Sequence, residues 1–290
     1  MNILLKLVNK IKTILLNFLN KSTASYFLYK FFFKLDSEKR IKKIKSQKNL
    51  FIIEQTFKDL NVSWSFPSTL RERGRKYYLK GLEFRAKQIY EDYLLKNLEF
   101  EENDLVIDCG ANLGDLYLYL TTLNIRINYF GIEPGRREFL ALKYNTQNKY
   151  SLIKSKLFKL AFGKNNSKME LFYSPSHADS SLIEPSNFET KYLIDVQTID
   201  QFIKQNKIKG KKIKLLKLEA EGYEPEILQG CQNNLENIEY ISADLGPERG
   251  LSNQCTIVEV TNFLICKDFK LIDFGYPRIT ALYKNNLFNH

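Results

Sequence analysis

An acid closes a short apolar run and a glycine turn follows at once in Val106-Ile107-Asp108-Cys109-Gly110-Ala111-Asn112-Leu113-Gly114. The run reads as a buried strand, and a helix is expected to start at about Leu113. The turn then lies where ligands bind in open α/β sheets, beyond the carboxyl ends of the strands. Glycine lets the backbone approach a ligand closely and adopt φ > 0. The spacing is Gly110-x-x-x-Gly114, whereas a dinucleotide site uses GxGxxG, with its second glycine admitting a pyrophosphate. Asn112 stands at that second position, so a dehydrogenase is disfavoured. S-adenosylmethionine has no phosphate. It presents an amino acid, a sulfonium and a ribose, for which Asp108 and Asn112 are suitable partners. A second run, Phe130-Gly131-Ile132-Glu133-Pro134, ends in an acid 25 residues after Asp108. That is near the distance expected for an acid that binds the ribose. The two oxygens of a carboxylate match a vicinal diol. The expected cofactor site is therefore Asp108, Gly110, Asn112, Gly114, Glu133 and Pro134. Either acid alone reads equally well as an ordinary strand-end polar group; the pair around a glycine turn points to a nucleotide-type ligand.

If the ligand is S-adenosylmethionine, the reaction to expect is methyl transfer, an in-line displacement in which an acceptor must be aligned and its proton removed. Glu219 and Glu221 follow a fourth apolar run, Ile213–Leu218, and belong at the same edge of the sheet. Two close carboxylates can raise one proton affinity enough to make a base. Glu221 could instead cap the next helix, and Lys217 reads as buried or ion-paired. His177 is one of two histidines and sits in the Ser174–Ser181 segment, so it is a third base candidate, with a plain surface loop as the alternative. Tyr173, His177 and Ser180 would line the acceptor pocket. Asp244 ends a fifth run; with Glu219 it could ligate a divalent ion, but two acids rarely make a metal site, and none is expected.

At this point the chain resembles the FkbM family of methyltransferases. The resemblance rests on Val106–Gly114, Ile132-Glu133-Pro134, Ser180-Ser181-Leu182 with Val196–Asp200, and Leu216-Lys217-Leu218-Glu219-Ala220-Glu221-Gly222-Tyr223-Glu224-Pro225 continuing to Gly230. It covers about residue 80 to the C-terminus. Glu219 departs from the family, which usually has Asp there. The resemblance implies a Rossmann-like class I methyltransferase sheet of seven strands, the last antiparallel, and methyl transfer to a hydroxyl, often of a sugar or glycan.

Strand and helix signals alternate from residue 84 onward, which implies an α/β fold with a mostly parallel sheet. Leu157–Phe162 reads as one strand, Met169–Tyr173 and Leu193–Gln197 as a paired insertion, and Trp64, Phe66 and Pro67 as a turn. The expected organisation is a basic, amphipathic, helical extension over 1–80 and a methyltransferase domain over 81–290. The net charge of +11 is concentrated in the first 50 residues, which carry twelve Lys/Arg and two acids; the other 240 carry +1. A nucleic-acid enzyme usually places positive charge around its cleft. The chain also lacks an (Asp/Asn/Ser)-Pro-Pro-aromatic segment and a Pro-Cys nucleophile. Nucleic acid is thus not an expected partner, and a sugar or glycan hydroxyl is. A non-catalytic scaffold that kept the fold is the rival from another class, against which the glycines and both acids speak. Residues 3–19 have the 3.6-residue period of an amphipathic helix, and Tyr26–Phe33 is strongly aromatic. Residues 1–45 therefore suit either peripheral contact with an anionic membrane or packing on the main domain or a second subunit of a homo-oligomer. Four scattered cysteines without CxxC spacing suit a reducing compartment, and the expected location is cytoplasmic, with the inner membrane face as an option.

Overall fold

The computed structural model describes residues 41–47, 50–57, 60–67, 77–78, 80–147, 151–174 and 180–288. The amphipathic stretch 3–19, the aromatic run Tyr26–Phe33 and His177 lie outside the described residues. The chain divides into two compact units, 1–85 and 86–290.

Where the first unit is described, it corrects the expectation of a helical extension. β1 (Ile41–Gln47), β2 (Leu50–Phe57) and β3 (Leu60–Pro67) form an antiparallel sheet in that order. β-Branched and aromatic residues favour a pleated, half-buried surface. Ile53 lies opposite Trp64 in the register, and both are buried. Trp64 and Phe66 thus belong to a strand, not to a turn, and Phe66 stacks on Tyr78 at 6.0 Å between ring centroids. The buried Gln55 side chain is satisfied by the Tyr78 carbonyl (2.7 Å) and the Leu82 N–H (3.1 Å). Helix α1 (Leu82–Asp92) follows.

The second unit is built on β4 (Asp104–Cys109), β5 (Ile127–Ile132), β6 (Lys154–Phe158), β7 (Ala161–Phe162), β8 (Ser167–Tyr173), β9 (Thr190–Gln197), β10 (Ile213–Leu218), β11 (Ile238–Asp244), β12 (Pro247–Arg249), β13 (Gln254–Cys255), β14 (Phe269–Gly275) and β15 (Thr280–Asn285). Its helices are α2 (Asp115–Leu120), α3 (Arg136–Asn145), α4 (Ile199–Gln205), α5 (Glu224–Gln229) and α6 (Ile257–Ile265). Seven strands form the main sheet in the order β14-β15-β11-β10-β4-β5-β6, with β15 antiparallel to both its neighbours. The other adjacent pairs are parallel. This is the mostly parallel α/β sheet with an antiparallel last strand that the sequence implies.

Every residue of β4, β10 and β11 is buried, which explains why these strands read as continuous apolar runs. Leu105, Ile107 and Cys109 share one core with Leu216 and Leu218, and helices α4, α5 and α6 add Phe202, Ile227 and Leu264 to it. Strand alternation turns Asp108 and Lys217, which are register partners, to the other face. The chain runs outward from β4 through β5 to β6, then returns to β10 on the other side of β4. The crossover between β4 and β10 is the topological switch point at which such sheets bind ligands.

The single strand expected over Leu157–Phe162 is two. β6 ends at Phe158, and β7 pairs with β9 in a separate three-stranded sheet ordered β7-β9-β8. An apolar run does not reveal a bend within it. The paired insertion appears as β8 and β9, antiparallel from Ser167↔Val196 to Tyr173↔Thr190. Helix α5 stops at Gln229, and the Gly230 that follows packs backbone to backbone on Gly163. A Cβ at Gly230 would overlap the Gly163 carbonyl oxygen. Gly230→Ala is therefore expected to cost about 1–3 kcal/mol, the usual range for overpacking. Urea denaturation should show the loss, and an unchanged midpoint would contradict this contact.

Candidate active site

The carboxyl ends of β4, β5 and β10 open into one pocket. It is lined by Gly110, Asn112, Glu133, Pro134, Glu219 and Glu221, all singled out in the sequence, together with Glu138, Ala161, Phe162, Leu171, Ser180, Leu182, Tyr223 and others. The insertion supplies Leu171, Ser180 and Leu182. Asp108 and Gly114 are not among the lining residues.

Glu133 stands at the β5 end of the pocket, buried, with both oxygens fixed by the backbone. The Asn112 N–H donates to Oε2 at 2.8 Å and the Gly135 N–H to Oε1 at 2.7 Å. Asn112 has φ 49°, a left-handed conformation that asparagine tolerates better than most residues. It is thus the backbone of Asn112 that faces Glu133. Each carboxylate oxygen has a second lone pair, so Glu133 can still accept a vicinal diol. Burial, then the nearby Glu138, push Glu133 up to about 8 against the lowering effect of these two N–H groups. Glu138 in turn accepts the Tyr173 hydroxyl at 2.9 Å.

Asp108 is fully buried below the glycine turn. The Tyr129 hydroxyl donates to one oxygen at 2.6 Å, and Lys217 Nζ lies 3.0 Å from the other. Its placement corrects the expectation of direct cofactor contact, because it has no exposed surface to offer. Lys217 also donates to the Gly110 carbonyl at 2.8 Å and binds Glu219 Oε2 at 2.9 Å. Gly110 has φ 74°, and a Cβ there would overlap the Glu219 carbonyl oxygen. A side chain at Gly110 would thus disrupt the turn itself before it met a ligand.

Glu219 was expected as a base, and its surroundings correct that. Burial alone would raise its proton affinity, but Lys217 and Arg278 hold it far below the usual carboxylate range. Arg278 Nη2 binds Glu219 Oε1, Asp244 Oδ2 and the Tyr93 hydroxyl, the last at 2.9 Å. Its guanidinium spans Glu219 and Asp244, the pair that could have shared a divalent ion. No group of three or more metal-ligating side chains occurs among the described residues. Nothing local in the sequence marked Arg278, which lies 59 residues from Glu219.

The loop after β10 is held from outside. Glu224 is buried and accepts the Ala220 and Gly222 N–H groups at 2.9 and 3.3 Å and the Thr256 hydroxyl at 3.1 Å. Burial pushes it up to about 7. Arg249 forks onto Glu226 at 2.6 and 2.9 Å and donates to the Gly222 carbonyl at 2.6 Å. These contacts display Glu221 in the pocket wall with φ 50°. Glu224 therefore braces the loop, while helix α5 has Tyr223 at its N-cap with no side-chain cap, the role the sequence offered as an alternative for Glu221. Ser181 ties the insertion to the loop by donating to the Glu221 carbonyl at 2.9 Å.

The model of the methyltransferase FkbM domain matches residues 108–272. A hexuronic acid methyltransferase, AglP, of Haloferax volcanii is 23% identical over 147 residues, covering 51% of this chain and 58% of that protein. Among solved structures, magnesium protoporphyrin IX methyltransferase from Synechocystis PCC 6803 with bound SAH has a TM-score of 0.43 at 11% identity, covering 74% of this chain and 93% of that one. Fibrillarin from Aeropyrum pernix with bound S-adenosyl-L-methionine has a TM-score of 0.41 at 13% identity, covering 84% and 97%. The chain belongs to the FkbM methyltransferase family. S-adenosylmethionine is the cofactor that the sequence leads one to expect in this pocket.

The pocket chemistry fits that cofactor, with an acid able to take a diol and further carboxylates to face a cation. Glu133 makes the affinity depend on pH in a definite direction. In the ligand-free protein it is raised to about 8, so near pH 7 it is largely protonated. The ionised form suits the diol and the cationic ligand, and binding then releases a proton. Affinity should therefore tighten as pH rises toward about 8, by up to about tenfold per unit, and level off above. Glu133→Gln should weaken binding about tenfold or more and remove the slope. Calorimetry across this window checks both; a pH-independent wild type would refute the assignment.

Proposed function

We propose that the chain is an S-adenosylmethionine-dependent O-methyltransferase acting on a hydroxyl of a sugar, glycan or related small molecule. One observation carries the reading: Glu133, fixed by two backbone N–H groups beyond the carboxyl end of β5, shares its pocket with the glycine turn and the Glu219–Glu221 loop. The likeness to a hexuronic acid methyltransferase supports a sugar acceptor. Glu133 and Asn112 would hold the ribose side of the cofactor, with Gly110 and Pro134 giving the close backbone surface. The bound cofactor supplies an electrophilic methyl group on a sulfonium.

This chain's own part is to orient the acceptor and remove its proton. Glu221 is the base in this reading, since it faces the pocket and Glu219 is committed to two cations. Ser180 and Leu182 would form the acceptor side, with His177 nearby in sequence but outside the described residues. The test is incubation of the full chain with cofactor and a panel of glycans, looking for methylated product by mass spectrometry. Glu221→Gln should lower turnover by about 10²–10⁴ while cofactor affinity stays within about threefold. Full turnover in a folded Glu221→Gln protein would move the proton to another group.

No helix among the described residues is long and apolar enough to cross a membrane. Residues 1–45 are proposed as a peripheral contact with anionic lipid on the inner membrane face. Full-length protein should then co-sediment with anionic vesicles, with salt releasing only part of it, because the apolar contribution is not screened. Absence of pelleting would refute the contact.

A further inference from the structure

Glu219 lines the pocket, yet both of its oxygens are held by cations. Lys217 lies at 2.9 Å from Oε2, and Arg278 binds Oε1. Lys217 comes from the same strand, but Arg278 arrives from the turn between β14 and β15. Arg278 also binds Asp244 and donates to the Tyr93 hydroxyl at 2.9 Å, and its guanidinium sits over the Tyr93 ring, 5.1 Å from the centroid. Tyr93 follows α1, so three separate segments meet on this guanidinium. Of the three acids and two cations in this cluster, Asp108, Glu219, Asp244, Lys217 and Arg278, only Glu219 lines the pocket. The Glu219 N–H donates to the Cys109 carbonyl at 3.1 Å, which binds this residue's backbone to the glycine turn.

We propose that Arg278 is a positioning residue that clamps the Glu219 carboxylate in the pocket wall as a fixed negative charge, so that the pocket holds the sulfonium cofactor more tightly than its neutral thioether product. The inference rests on the reading of the pocket as a cofactor site. The two ligands differ in one methyl group and one positive charge, so the ratio of their affinities isolates the charge. Both carry the ribose, so the part of the Glu133 titration that acts through the diol cancels in that ratio. Besides Lys217 and Arg278, the groups facing Glu219 are Tyr93, Asp244 and Glu248, with Asp108 reached through Lys217 and Asp92 lying 3.9 Å from Arg278.

The experiment measures the dissociation constants of S-adenosylmethionine and S-adenosylhomocysteine for the full chain by calorimetry, from about pH 5 to about pH 8. The wild type should prefer the sulfonium by about fivefold or more. Glu219→Gln, nearly isosteric, should lower the ratio at every pH. Arg278→Ala leaves Glu219 only Lys217, so its proton affinity rises and the ratio should fall at the acid end. Added guanidinium should restore the ratio, and Arg278→Lys should largely retain it. Equal losses for both ligands, or a ratio untouched by Glu219→Gln, would overturn the proposal and leave Arg278 a structural residue. A wild type that binds neither ligand would overturn the cofactor reading and this inference with it.

Discussion

Lys217 is a charge buried on the central strand of the sheet, and the site depends on how it is paired. It sits opposite Asp108 in the parallel register of β4 and β10, with 4% of its side chain exposed and none of its partner's. Burying a lysine is costly unless it is paired and hydrogen-bonded. Burial pulls its proton affinity down, and Asp108 and Glu219 more than restore it. The same ammonium donates to the Gly110 carbonyl. One charge therefore bonds across two adjacent strands, to the glycine turn and to Glu219. Removing one partner of such a group leaves an uncompensated buried charge, which costs about 3–5 kcal/mol in comparable cases.

Around this anchor the same side-chain type takes several roles. Glu133 has backbone N–H partners and no bound cation, so burial dominates and it rises to about 8. Glu219, partly buried, is driven the other way by Lys217 and Arg278. Glu224 rises to about 7 but faces the N–H groups of its own loop, which it braces. Glu248 is pushed up to about 8 by burial, then by Asp244 and Glu219. Environment, not residue type, assigns acid, acceptor and structural brace.

The small β7-β9-β8 sheet completes the pocket. Leu171 and Ser180 reach the wall from it and from the loop that follows β8, and Ser181 fastens that loop to the Glu221 carbonyl. Tyr173 meets Glu138 at the start of α3, so the insertion also touches the Glu133 side. The segment that varies most from a plain alternating sheet thus borders both ends of the pocket.

Much of the layout was legible in the chain itself. The apolar runs ending at Asp108, Glu133 and Glu219, with glycines at 110, 114 and 222, are local patterns, and local patterns dictate strands, turns and helix starts. The bounds of β10 and the end of β11 at Asp244 follow from them directly. The family is legible for the same reason, since its signature is a set of contiguous segments. Less legible were the bend inside Leu157–Phe162 and the strand that contains Trp64, because an apolar run carries no record of which partner it will pair with. The state of each carboxylate was hidden altogether. Asn112 serves through its backbone N–H, and its side-chain type only reports the left-handed conformation. Gly110 and Lys217 are 107 residues apart, and Glu219 and Arg278 are 59 apart. Proton affinity depends on which charges lie within a few ångströms, and only the folded sheet brings those distant residues to that distance.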